Sequence, residues 1–141
     1  LSATMQSAEL AAKAVAGHIS VRIVDSRSGS MGQGITVIAC AKLAASGASL
    51  DDVVALGENL ALRSKVWGAL DTLENLKKGG RIGGAKALMA SALSIKPIIE
   101  VVDGKIEEGG KQRTRSKALA FLLEKVRDAG PIENLAVLQA N

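Results

Sequence analysis

The side chains best placed by type and spacing to do chemistry lie in residues 75–88, NLKKGGRIGGAKAL, where Lys77, Lys78 and Arg81 alternate with four glycines. Glycine permits a tight turn, and a guanidinium beside the exposed N–H groups of a helix start suits phosphate or carboxylate. A hinge whose lysines and arginine are simply solvated has the same composition. The residues alone leave these two readings tied. Each glycine costs about 1 kcal/mol relative to alanine where the backbone is helical, so either reading implies a required backbone shape.

A second candidate is DSRSGSMGQG (25–34), which follows a β-branched run and leads into a helix. Ligands of α/β proteins commonly bind at such a junction. The stretch lacks the Walker spacing and the third glycine of a dinucleotide fingerprint. A plain strand-to-helix turn capped by Ser26 or Ser30 is the simpler account. Lys111, Arg113, Arg115 and Lys117 form a further basic cluster, read as surface charge. With one histidine (His18) and one cysteine (Cys40), the sequence has no zinc set and no Cys/His dyad. Asp25, Asp71 and Asp103 fall at turn or cap positions, where aspartate is common. An enzyme is therefore disfavoured, and no metal or cofactor is expected.

The elements that would position these residues follow from periodicity. Ser2 or Thr4 caps a first helix with Met5, Ala8, Leu10 and Val15 on its apolar face, ended by Gly17. ISVRIV (19–24) reads as a strand, and ITVIACAKLAAS as a helix apolar nearly all round, hence buried. Ser49 and Asp52 form a capping box opening a helix to about Arg63. KVWGAL (65–70) is a strand. Asp71 or Thr72, with Glu74, starts a short helix that Gly79 closes in the left-handed conformation. AKALMASAL is a second helix. SIKPIIEVV and KIEEGGKQR form a hairpin through Asp103-Gly104, with Pro97 pointing to an edge position or a bulge. TRSKALAFLLEKVRDAG is an amphipathic helix with Ala118, Leu119, Leu122, Leu123 and Val126 inward, stopped at Gly130-Pro131. NLAVLQ (134–139) is the last strand. The alternation gives an α/β class, with a largely parallel sheet in the first half and a hairpin in the second.

Composition bounds the rest. The 141 residues are 48% hydrophobic and 23% charged, enough for a core, while aromatics make up only 1%. The core must be aliphatic, and so few aromatics argue against stacking platforms for single-stranded nucleic acid. The net charge of +4 favours anions only weakly. No stretch approaches the roughly 18 apolar residues of a membrane span. No signal peptide is visible, and the lone thiol suits a reducing compartment, so the expected location is cytoplasmic. The chain opens without Met and ends on a stretch that reads as a strand, so both ends read as cuts through a longer chain.

Taken together, SATMQSAELAA, VRIVDSRSGSMGQG, LDTLENLKKGGRI and SIKPIIEVVDGKIEEGGKQRTRSKAL follow the order and spacing of the DegV family, and the resemblance covers essentially all residues. That family comprises bacterial fatty-acid-binding proteins, some of them the lipid-presenting subunit of a fatty acid kinase. The resemblance implies two α/β domains of the DegV type, both incomplete here: residues 1–70 as the remainder of the N-terminal domain and 71–141 as the first part of the C-terminal one. It implies a long-chain fatty acid as ligand, its carboxylate at the domain junction and its tail in an apolar tunnel. A separate ATP-dependent kinase would be the partner, with no nucleic acid and no integral membrane segment, though transient contact with a membrane surface is compatible. Ser2 matches the family's S-G-T serine, a carboxylate ligand, with Ala3 in place of the glycine. Arg81 matches the arginine of G-G-R-I, associated with the phosphorylated head group and kinase docking. A further Thr-Ser carboxylate ligand and a functional histidine of the family have no counterpart in these residues. Leu88, Met89, Leu93, Ile95 and Ile98 are candidate tunnel contacts, although each reads equally well as ordinary core. The alternative is a small phosphotransferase using the GxG and GGRIGG loops for phosphates. A ligand-free interaction domain is a third reading.

Overall fold

A computed structural model describes residues 2–91 and 95–140. The chain divides into two units, Leu1–Ser64 and Lys65–Asn141. The sequence boundary was set after Leu70, but the strand preceding it hydrogen-bonds inside the second unit and so falls with it.

The first unit holds three helices: α1 (Thr4–Val15), α2 (Ser30–Ala45) and α3 (Leu50–Arg63). Ala3 is the N-cap of α1 and offers no side-chain bond; Ser2 Oγ instead accepts from the Thr4 N–H at 3.1 Å. The helix stops before Gly17, where the His18 and Ile19 N–H groups both donate to the Val15 carbonyl. At α3 the expected capping box is present: Ser49 Oγ accepts from the Asp52 N–H, and Asp52 Oδ2 accepts from the Ser49 N–H. Val54, Gly57 and Leu60 form its buried stripe. Gly57 packs against both Cys40 of α2 and Val24 of the extended segment, which a Cβ there would meet at 3.4 Å, an ordinary contact distance.

Two expectations for this unit need correction. Residues 19–24 run without a ladder among the described residues: a strand needs a second strand, and the other β-branched run of the unit, 35–38, is wound into α2. Among the described residues the first half therefore shows no parallel sheet. Helix α2 is not buried all round either. Thr36 is its buried residue, whereas Val37 is 58% and Ile38 48% exposed. Within the unit α3 packs against α2, and one neighbour covers only one face of a helix.

The second unit is a three-stranded antiparallel sheet, β1 (Val66–Ala69), β2 (Lys96–Val102) and β3 (Lys105–Gln112), in the order β1-β2-β3. Asp103 and Gly104, at φ 47° and 72°, make the primed turn that the sequence predicted. Pro97 lies in the central strand, not at an edge, and the register shift between Ile98 and Ile99 is the bulge beside it. Pro97 still serves the ladder as an acceptor, since the Leu70 N–H donates to its carbonyl at 2.9 Å.

Between β1 and β2 come the short α4 (Glu74–Lys78) and a 3₁₀ helix, Gly83–Ser91, where an α-helix was expected. Ala85 and Leu88 are both buried, and a spacing of three is the repeat of a 3₁₀ turn. They form a core with Leu73 and Ile106, onto which Leu76, Ile82, Met89, Ile99 and Val101 pack. Helix α5 (Arg115–Asp128) is capped by Thr114, which accepts from the Lys117 N–H at 3.2 Å. It ends before Gly130, at φ 79°. Its inward side is Ala118 with the half-buried Phe121, Leu122 and Val126; Leu119 and Leu123, expected inside, are 51% and 49% exposed. Residues 134–139 also form no ladder among the described residues, and Val137 is 89% exposed. The result is a mixed α/β chain whose hydrogen-bonded sheet is antiparallel.

Candidate functional site

The GGRIGG loop begins as a helix stop. Gly79 was expected to take the left-handed turn, but it stays right-handed at φ −76°, and Gly80 takes φ 70° instead. The Gly80 N–H donates to the Lys77 carbonyl at 3.0 Å and the Arg81 N–H to the Leu76 carbonyl at 2.9 Å. Those two bonds are a Schellman motif, which places the left-handed residue one beyond the cap. Arg81 leaves this turn exposed, its Nη1 donating to the Gly79 carbonyl. Lys77 and Lys78 are exposed as well, and Lys78 Nζ lies 3.7 Å from Glu74.

The second glycine pair is shaped by packing. At Gly83 (φ 48°) a Cβ would overlap the Ile106 carbonyl oxygen. At Gly84 it would overlap Glu107 Oε2, with Cδ at 2.8 Å. Both neighbours belong to β3, so the loop after Arg81 is pressed against that strand over two consecutive residues. The loop is no free hinge: one pair of glycines ends a helix and the other admits a strand. Nearby, Lys96 Nζ donates to Asp71 at 2.7 Å. That hydrogen bond, then the lysine's charge, holds the Asp71 carboxyl below its ordinary range, with Arg115 adding a smaller pull.

Ser2 lies in the first unit, exposed, with its Oγ 2.5 Å from Thr4 Oγ1. Sequence reasoning singled out Ser2 and passed over Thr4 as its hydroxyl partner, although their spacing on either side of a helix start is the signal for it. In the second unit Leu88 is 2% exposed in the core cluster and Met89 packs half-buried against it. Ile95 is half-buried. Ile98 is fully buried but outside that cluster, opposite Gly110, whose Cα faces the Phe121 ring of α5. Leu88 and Ile98 thus fill opposite sides of the sheet. Leu93 lies outside the described residues.

In DSRSGSMGQG neither serine caps α2. The N-cap is Gly29, without a side-chain bond, and the Gly32 N–H donates to its carbonyl. Asp25 Oδ1 accepts from the Arg27 N–H at 2.9 Å, and Arg27 and Ser30 both have positive φ. His18 lines a shallow, open depression with Ala12, Ala16 and Val21. Lys111, Arg113, Arg115 and Lys117 are exposed, as surface charge would be. Among the described residues no group of three or more His, Cys, Asp or Glu is placed to hold a metal, and no helix is long and apolar enough to cross a membrane.

Comparison with known proteins sets these features in a family. The family profile described as "Uncharacterised protein, DegV family" matches residues 1–141. A DegV domain-containing protein of Deinococcus radiodurans is 39% identical over 127 residues, covering 90% of this chain and 44% of its own length. Among solved structures, the fatty-acid-binding DegV family protein of Thermus thermophilus is 39% identical with a TM-score of 0.84, over 91% of this chain and 45% of that one. DegV of Bacillus subtilis, described as a fatty acid binding protein, is 30% identical with a TM-score of 0.77, over 90% and 45%. The chain spans about half the length of the curated relatives it matches.

Proposed function

This chain belongs to the DegV family, and from that premise we propose that it binds one long-chain fatty acid and presents the carboxylate to a separate ATP-dependent kinase, doing no chemistry of its own. The observation that carries the reading is the likeness to the Thermus thermophilus protein, at 39% identity and a TM-score of 0.84. One feature of the molecule agrees with it. The apolar residues are almost all aliphatic, which suits an acyl tail. Burying about ten methylenes is worth about 8 kcal/mol, the scale of micromolar binding.

In this reading the Ser2 hydroxyl, paired with Thr4, is a ligand of the carboxylate. Arg81 serves the phosphorylated head group or the kinase. Leu88, Met89, Ile95 and Ile98 stand as candidate tail contacts on the two sides of the second unit's sheet, with Leu93 proposed on sequence alone.

Native mass spectrometry of the purified chain, with organic extraction of whatever it carries, tests the proposal. One equivalent of a long-chain acid, lost on Ser2→Ala substitution, is the expected result. A protein free of lipid after incubation with palmitate and oleate overturns the binding reading for this chain. Lipid bound while a partner kinase fails to phosphorylate it overturns the presentation step alone.

A further inference from the structure

The two glycines that follow Arg81 are held by β3 in different ways, and the difference singles out an acidic residue. Gly83 is blocked by backbone: its Cα–H faces the Ile106 carbonyl, and its φ of 48° disfavours any other residue. Gly84 is blocked by a side chain, since its Cα–H faces the carboxylate of Glu107, and its φ is not in the left-handed range. Such Cα–H···O contacts are individually weak but recur where backbones approach closely. Here two in succession fasten the loop's second half to the strand.

Glu107 sits in this contact against an electrostatic disadvantage. The β2–β3 register places it directly opposite Glu100, and like charges at paired positions repel. What this half-buried glutamate meets is the loop, at Gly84.

We infer that Glu107 is the positioning residue of the GGRIGG loop: its carboxylate on Gly84, beside the Ile106 carbonyl on Gly83, fixes the segment that presents Arg81 to an anionic head group. The inference rests on the anion-handling role proposed above for Arg81. Glu107 acts through the loop and is not itself a ligand of the anion.

Two measurements on the wild-type chain and its variants test it. Amide hydrogen exchange reads loop order directly, at the Arg81 N–H bonded to Leu76 and the Ala85 N–H bonded to Ile82. Binding of hexadecylphosphonate against palmitate reads the head-group preference. Arg81→Ala is expected to weaken phosphonate binding about tenfold or more and leave palmitate unchanged. Glu107→Ala should speed exchange at both amides and weaken phosphonate binding about threefold, by loosening Arg81. Glu107→Gln keeps an acceptor oxygen and should restore both. In the Arg81→Ala background, Glu107→Ala should have no further effect on phosphonate. If Glu107→Ala leaves exchange unchanged, or weakens phosphonate equally without Arg81, the positioning role is overturned while that of Arg81 stands. An Arg81→Ala variant that binds phosphonate like wild type overturns both, since Glu107 would then have no ligand-handling group to place.

Discussion

Replacing each of the two packed glycines by alanine should separate a backbone block from a side-chain block. Gly83→Ala forces a non-glycine residue to φ 48°, which costs about 1–2 kcal/mol. It also drives a methyl into the Ile106 carbonyl, and overpacking of that kind costs about 1–3 kcal/mol. A loss of about 3 kcal/mol follows. Gly84→Ala carries no φ penalty, and alanine recovers up to about 1 kcal/mol of helical preference. What remains is displacement of the Glu107 carboxylate, which leaves a net loss of about 1 kcal/mol. Glu107→Ala alone should be near neutral, since a Cα–H···O contact of about 0.5–1 kcal/mol is lost while a like-charge pair of comparable cost is relieved. The double variant Gly84→Ala/Glu107→Ala should therefore be at least as stable as wild type, a coupling of about 1 kcal/mol or more. The double variant with Gly83→Ala should show no rescue. Urea unfolding followed by fluorescence of Trp67, the single tryptophan and a residue of β1 in the same unit, measures all five variants. Gly84→Ala equally damaging with and without Glu107, or rescue of Gly83→Ala by Glu107→Ala, would refute the packing argument.

Other outcomes follow from the same contacts. Leu88→Ala empties a fully packed site between Leu73, Ala85 and Ile106 and should cost about 2–5 kcal/mol in the same urea titration. Thr114→Ala removes the α5 cap and should cost about 1 kcal/mol, with Thr114→Ser largely sparing it. Asp71 has its pKa lowered by the Lys96 hydrogen bond and charge, so the pair's stabilising effect is present above the ordinary carboxylate value and fades as pH falls through the lowered one. Lys96→Met should move Asp71 back toward 3.8 in a carboxyl NMR titration, and an unmoved midpoint would contradict the assignment. Val37→Gln and Ile38→Gln, on the exposed side of α2, should shift stability by no more than about 0.5 kcal/mol.

What could be read from the sequence was what depends on residues close together in the chain. The Ser49/Asp52 box, the Asp103-Gly104 turn and the Gly130 stop each close hydrogen bonds or set backbone angles within a few positions, so residue identity suffices. The motif order that resembled the DegV family was legible for a similar reason, because a family pattern is itself a sequence property. The candidate loop was legible as a place, and its four glycines did signal an imposed backbone shape. Its purpose was not legible, since one glycine pair answers to a helix end and the other to β3. Glu107 lies more than twenty positions from Gly84, and nothing in either local stretch announces the contact.

Tertiary structure decided whatever needed a distant partner. Residues 19–24 and 134–139 have strand-forming composition, but a ladder requires a second strand within reach, and none pairs with them among the described residues. AKALMAS (85–91) has good α-helix propensity and yet winds as 3₁₀, with Ala85 and Leu88 meeting one core at a spacing of three. Pro97 is tolerated in the central strand because its carbonyl still accepts from the Leu70 N–H and a bulge follows between Ile98 and Ile99. Propensity amounts to tenths of a kcal/mol per residue, whereas burial of a single leucine is worth about 1.5–3 kcal/mol. Where the two disagreed, packing prevailed.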